Sequence, residues 1–157
     1  MADAANVVTV ERTIKAEPSA IFALLADPAQ HCEIDGSGSV RESKEGSTRL
    51  SMGSKFGMSM KLGVPYSMMN EVIEFDEPKR IAWQTHPPSA MGERLFGGRI
   101  WRYELEPTEG GTIVRESWDV SQEKQPVRAL LRVGRTRDHT RKAMEATLDK
   151  IEQLVAK

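Results

Sequence analysis

Residues 125–155 read QPVRALLRVGRTRDHTRKAMEATLDKIEQLV, and the reading of this closing stretch decides the fold. Val127, Leu130, Met144, Leu148, Ile151 and Val155 recur at spacings built from three, four and seven, which line one face of a helix. The pattern predicts one terminal helix of about thirty residues. An apolar face of that length needs a large partner, and the segments before it offer one candidate, a sheet. The helix is expected to lie across the concave side of that sheet.

Working back towards the N-terminus, the period changes from helix to strand. Six strand candidates lie at 39–44, 48–52 running on to 62, 66–76, 80–86, 98–107 and 111–120, punctuated by Gly, Pro, Asn and Asp. Asp76-Glu77-Pro78 and the run from Pro107 to Gly111 are the clearest hairpin turns, so neighbouring strands should be antiparallel. Before them, Pro18 opens a short helix that can bury Ile21, Phe22, Leu24 and Leu25, and Asp27-Pro28 starts a second short piece through Ile34. Val8, Val10 and Ile14 alternate with Thr9, Glu11 and Thr13 in a first strand, and Arg12 shares the apolar face and needs a partner.

Alternation also sorts the later side chains into faces. Met69, Ile73 and Phe75 share one, as do Ile81 and Trp83, then Trp101, Tyr103 and Leu105, then Val114 and Trp118. Phe56, Met58, Met60 and Leu62 alternate with Gly57, Ser59 and Lys61. Methionine adapts to irregular shapes, so this face suits either a packed core or a surface that receives a ligand.

Composition narrows the class. The 157 residues fit one domain, 1–157, with 29% charged and 39% hydrophobic residues, the balance of an ordinary globular chain. A net charge of −1 gives no reason to expect nucleic acid as a partner. Apolar runs such as 21–26 are far short of the roughly 20 residues that cross a bilayer, and residues 1–6 show no secretion signal. A single cysteine, Cys32, forms no internal disulfide, and the reducing cytoplasm is the expected setting.

Four pieces carry a resemblance that spans nearly the whole chain. They are Ala16-Glu17-Pro18-Ser19-Ala20-Ile21-Phe22 with Leu25-Ala26-Asp27-Pro28; Glu74-Phe75-Asp76-Glu77-Pro78-Lys79-Arg80-Ile81-Ala82-Trp83; Leu105-Glu106-Pro107 with Gly110-Gly111-Thr112; and the closing helix with Thr147-Leu148. In order and spacing they resemble the START-like (SRPBCC) superfamily of the major birch pollen allergen. Trp101-Arg102-Tyr103-Glu104-Leu105-Glu106-Pro107 and the Asp35-Gly36-Ser37-Gly38 loop look closest to its bacterial polyketide cyclase or dehydrase members. The resemblance implies an α+β helix-grip fold: a seven-stranded curved antiparallel sheet, in the order β-α-α-β6-α, around a long C-terminal helix with an internal cavity. It also implies a small hydrophobic or amphipathic ligand, lipid or polyketide-like. On that basis Phe56, Met58, Met60, Met69, Ile73, Trp83, Trp101, Tyr103, Trp118 and Met144 become candidate ligand contacts.

The chemistry is sparser. His31, His86, His139 and Cys32 are too scattered for a metal centre, and no cofactor motif is present. His31 and Cys32, being adjacent, diverge by about 100° on a helix and read as packing or surface residues. Glu116 falls between Val114 and Trp118, where burial raises its proton affinity unless a cation pairs with it; the resemblance implies that the first and last strands are neighbours, which makes Arg12 the expected partner in a pair that fastens the sheet. His86 ends a strand before Pro87-Pro88, at the rim or on the surface. Arg137 and Arg141 lie on rows where apolar residues are expected, and could meet an anionic ligand group or simply be solvated. Three functions follow: a carrier of an apolar ligand; a cyclase or dehydratase in which Glu116, His86 or Tyr103 moves a proton; or a co-chaperone-like module that docks through the 89–98 loop with its Leu95 and Phe96.

Overall fold

A computed structural model of the chain describes residues 4–36, 40–43, 49–62, 64–89, 91–92 and 97–156, with only the backbone at 4, 32, 40–43, 58–62 and 64–66. Strand β1 spans Val7–Ile14 and is followed by α1 (Pro18–Leu25), a 3₁₀ turn (Pro28–Gln30) and α2 (His31–Ile34). Six strands come next: β2 (Val40–Ser43), β3 (Lys55–Leu62), β4 (Val64–Asp76), β5 (Arg80–His86), β6 (Ile100–Thr108) and β7 (Gly111–Asp119). The chain closes with α3 (Val127–Leu131) and α4 (Gly134–Val155).

The seven strands form one antiparallel sheet in the order β1-β7-β6-β5-β4-β3-β2, so the first strand pairs with the last. This is the helix-grip arrangement expected from the resemblance. Alternation works as expected in β1, where Val8, Val10 and Ile14 are buried and Thr9, Glu11 and Thr13 are exposed. Pro18 occupies the first turn of α1, where its missing N–H costs nothing, and Ile21, Phe22 and Leu25 are buried beneath it. The Asp27 side chain accepts a hydrogen bond from the Ala29 N–H at 3.0 Å and turns the chain into α2.

Three expectations about the elements are corrected. The strand expected to run from 48–52 to 62 begins only at Lys55, because Ser51–Ser54 form a tight turn with Gly53 at a φ of 82°. In β4 the register slips between Val72 and Glu74, so that two residues of β4 face one of β5. Met68, Asn70 and Val72 are therefore buried before this bulge and Phe75 packs inward after it, while Met69 and Ile73 leave the face they were assigned to. The closing helix is two helices: Val133 is extended (ψ 136°) and α4 starts at Gly134. Glycine is a poor helix former and the β-branched Val133 takes readily to an extended backbone, so the break falls there.

The break changes the phase of the apolar stripe. Leu131 packs on the core, and Leu130, expected on the buried face, is 64% exposed. Within α4 the stripe holds, with Met144, Thr147, Leu148 and Ile151 buried against the sheet and the short helices. Gly36 fits tightly here: a Cβ on it would lie 2.1 Å from the Ala143 carbonyl oxygen, and its N–H donates to Thr147 Oγ1 at 2.8 Å.

Candidate functional site

β6 and β7 place Tyr103 directly opposite Glu116, on the concave face and between the Trp101–Trp118 and Leu105–Val114 pairs. Both side chains are buried, and the Tyr103 hydroxyl donates to Glu116 Oε1 at 3.0 Å. Burial raises the Glu116 carboxyl to about 8; the Tyr103 hydrogen bond opposes this and the nearby Asp35 charge adds to it. Burial likewise pushes the Tyr103 hydroxyl well above its ordinary value, helped by Glu116. At neutral pH the pair therefore consists of a phenol and a protonated carboxyl.

The expected cation does not reach it. Arg12 turns away to α4, where Nη1 lies 3.0 Å from Asp149 Oδ1 and 3.4 Å from Glu152 Oε1. β1 puts Val10, not Arg12, opposite Glu116, and the two carboxylates of α4 take up the guanidinium instead. A second buried carboxylate shows the contrast. Glu123 accepts from the Gly97 and Arg99 N–H groups at 2.8 and 3.2 Å and from Arg99 Nε at 2.8 Å, a satisfied clamp that fastens the chain after β7 to the start of β6. Among the described residues Glu116 has only the Tyr103 hydroxyl.

Aromatic rings extend the cluster across the sheet. Trp83 lies 5.7 Å from Tyr103 and stacks on His31 at 4.8 Å, and Phe56 meets His31 and Trp83 edge-on at 5.4 and 5.7 Å. Trp101 and Trp118 face each other at 6.1 Å. Burial lowers the proton affinity of His31, whose Nε2 is 2.9 Å from the Leu25 carbonyl oxygen. Further along, Thr85 Oγ1 donates to Asn70 Oδ1 at 2.7 Å in a second buried polar pair.

Of the sequence-derived site residues, the structure brings together Phe56, Trp83, Trp101, Tyr103, Glu116, Trp118 and Met144 around one core. Met58 and Met60 sit in β3 opposite Met68 and Tyr66, but their side chains lie outside the described residues, as do Cys32's, Leu95 and Phe96. His86 pairs with Met69 and falls on the opposite parity to Trp83 and Thr85, away from the concave cluster. Arg137 and Arg141 do not face it either. Their Nη2 and Nη1 donate to the Val7 and Thr9 carbonyl oxygens, each at 3.2 Å, along the free edge of β1. His31 packs, one of the two roles its position allowed, but its place beside Trp83 and that of Asp35 near Glu116 follow only from the fold of α2 over β5. A separate groove of about 540 Å³, lined by Lys15, Pro18, Pro107, Gly110 and Val155 among others, shares no residue with the cluster.

The fold and a buried acid–phenol pair among aromatic rings define a helix-grip protein with a polar centre on its concave face. The chain belongs to the family described as polyketide cyclase / dehydrase and lipid transport, whose pattern matches residues 6–156. It is similar to the uncharacterized protein Rv0088 of Mycobacterium tuberculosis, at 39% identity over 100 residues that make up 62% of this chain and 40% of that protein. It thus matches well under half the length of this relative. Among solved structures it resembles protein CV1439 from Chromobacterium violaceum (15% identity, TM-score 0.69, 97% of this chain and 98% of that one). It also resembles the Aha1 dimer from Colwellia psychrerythraea (15% identity, TM-score 0.64, 95% of each). At these identities the structures speak for the fold alone. No described helix is long and apolar enough to cross a membrane.

Proposed function

We propose that the protein binds a small hydrophobic or amphipathic molecule, lipid or polyketide-like, against the concave face of the sheet, and that the Tyr103–Glu116 pair meets its polar end. The observation that carries this reading is the fully buried Glu116, with a single neutral hydrogen-bond partner among the described residues and aromatic rings around it. A plain apolar core gains nothing from such a group, because burying a carboxyl costs more than the apolar residue that could replace it. A protonated Glu116 has a donor left for a ligand carbonyl or hydroxyl, and the arginines bound to β1 no longer argue for an anionic end. The single cysteine suits a reducing setting, and we place the protein in the cytoplasm on that ground.

Native mass spectrometry of the purified protein, followed by tryptophan-fluorescence titration with fatty acids, sterols and aromatic polyketides, tests the reading. Retained or added ligand that quenches Trp83 and Trp118 supports it; a silent screen with no co-purified molecule counts against it. A second reading, a cyclase or dehydratase, is favoured by one observation: a carboxyl at about 8 can both hold and release a proton near neutral pH. Glu116→Gln should then abolish turnover of a bound polyketide while ligand affinity persists. Loss of stability alone would make the carboxyl structural.

A further inference from the structure

We propose that the corner between α3 and α4 is a docking surface for an anionic lipid bilayer. Residues 124–142 carry seven Lys and Arg against one Asp, a local charge of +6, whereas the whole chain carries −1; the remainder therefore carries −7. The positive charge is thus concentrated on α3, the corner after it and the first turns of α4. Along this segment Lys124, Arg135, Arg141 and Lys142 are exposed, Arg135 beside the corner itself and Arg141 also holding the Thr9 carbonyl of β1.

Two apolar side chains stand at the same corner. Leu130 is 64% exposed and Val133 49%, and the Val133 N–H donates to the Leu130 carbonyl at 3.3 Å, a turn that sets them side by side. α3 buries none of its residues fully, and only the Leu131 side of it leans on the core. A Cβ on the neighbouring Gly134 would meet no atom within 4 Å, so the corner is convex and open rather than a groove shaped for a peptide. Arg135 lies in the first turn of α4, where the helix dipole disfavours a cation, so helix stability does not account for it.

The combination selects the partner. Basic residues around a protruding apolar tip fit a negatively charged bilayer, where the cations meet phosphate headgroups and the apolar side chains enter the interfacial layer. A nucleic acid backbone would use the charge and leave Leu130 and Val133 in water. The surface lies outside the concave cluster, so the proposal stands whatever that face binds.

The test is flotation of the full chain with vesicles of phosphatidylcholine, alone or mixed with phosphatidylglycerol. The protein should bind the mixed vesicles at low salt, leave them at high salt and ignore phosphatidylcholine alone. Leu130→Ser with Val133→Ser should weaken binding by roughly tenfold or more, and Arg135→Glu with Lys142→Glu by at least as much. All four side chains are exposed, and unchanged melting curves verify that the variants fold. No flotation of the natural sequence with the mixed vesicles overturns the proposal. Binding that survives Leu130→Ser with Val133→Ser and is competed away by duplex DNA marks a general polyanion surface and also overturns it.

Discussion

At the residue scale, Glu116 couples the fold to pH. Its carboxyl titrates at about 8 in the folded chain against 4.5 ordinarily, so between those values the folded state holds a proton that the unfolded state has lost. The stability this group contributes is fully present below 4.5 and disappears as pH rises through about 8, with a slope approaching about 1.4 kcal/mol per pH unit. His31 acts in the opposite sense: burial lowers its pKa below 6.5, so stability is lost as pH falls beneath that value and the unfolded chain takes up the proton first. Urea unfolding should therefore show stability falling from pH 6.5 to 8, and Glu116→Gln should remove that fall. A natural-sequence profile that stays flat over this interval would mean that Glu116 is ionised in the fold. Glu123 makes the complementary case, since its charge is matched by Arg99 and two N–H groups. Glu123→Ala should cost about 3–5 kcal/mol in the same assay, because the partners lose their acceptor in a buried place.

At the scale of elements, α4 covers the open edge of the sheet. Arg137 and Arg141 are one helical turn apart, about 6 Å along the axis, and Val7 and Thr9 are about 6.8 Å apart along β1, so both guanidinium groups reach successive carbonyls. An exposed strand edge invites pairing with other chains, and this contact blocks it. Arg137→Ala with Arg141→Ala should lower stability by about 1–2 kcal/mol and leave ligand affinity unchanged. A loss of affinity with an unaltered melting temperature would instead put the arginines at the ligand. The opposite edge of α4 is held by Gly36, whose missing side chain lets the loop after α2 touch the helix backbone. Gly36→Ala should lower the melting temperature by roughly 4–8 °C, about 2 kcal/mol, since neither backbone atom in its path can give way easily.

At the scale of the whole molecule, element order, strand alternation and the closing helical stripe were legible in the chain, because each follows from local spacing: period two in β1, β5, β6 and β7, and steps of three and four from Met144 to Ile151. The concave position of Trp83, Trp101, Tyr103, Glu116 and Trp118 followed from the same parity. What parity cannot report is where it fails. The β4 bulge moved Met69 and Ile73 off the inner face, and the Val133–Gly134 break put Leu130 into solvent. Nor can local spacing say which partner a charged side chain finds. Arg12 was expected on Glu116 and binds Asp149 and Glu152, more than 130 residues away, while His31 reached Trp83 only through the packing of α2 over β5. The sequence by itself determined the order of the elements and the inner faces of β1, β5, β6 and β7, since those depend on neighbours along the chain. Only the tertiary structure decided that Glu116 is left with a tyrosine instead of an arginine, because strand register and the path of α4 bring those groups together or keep them apart.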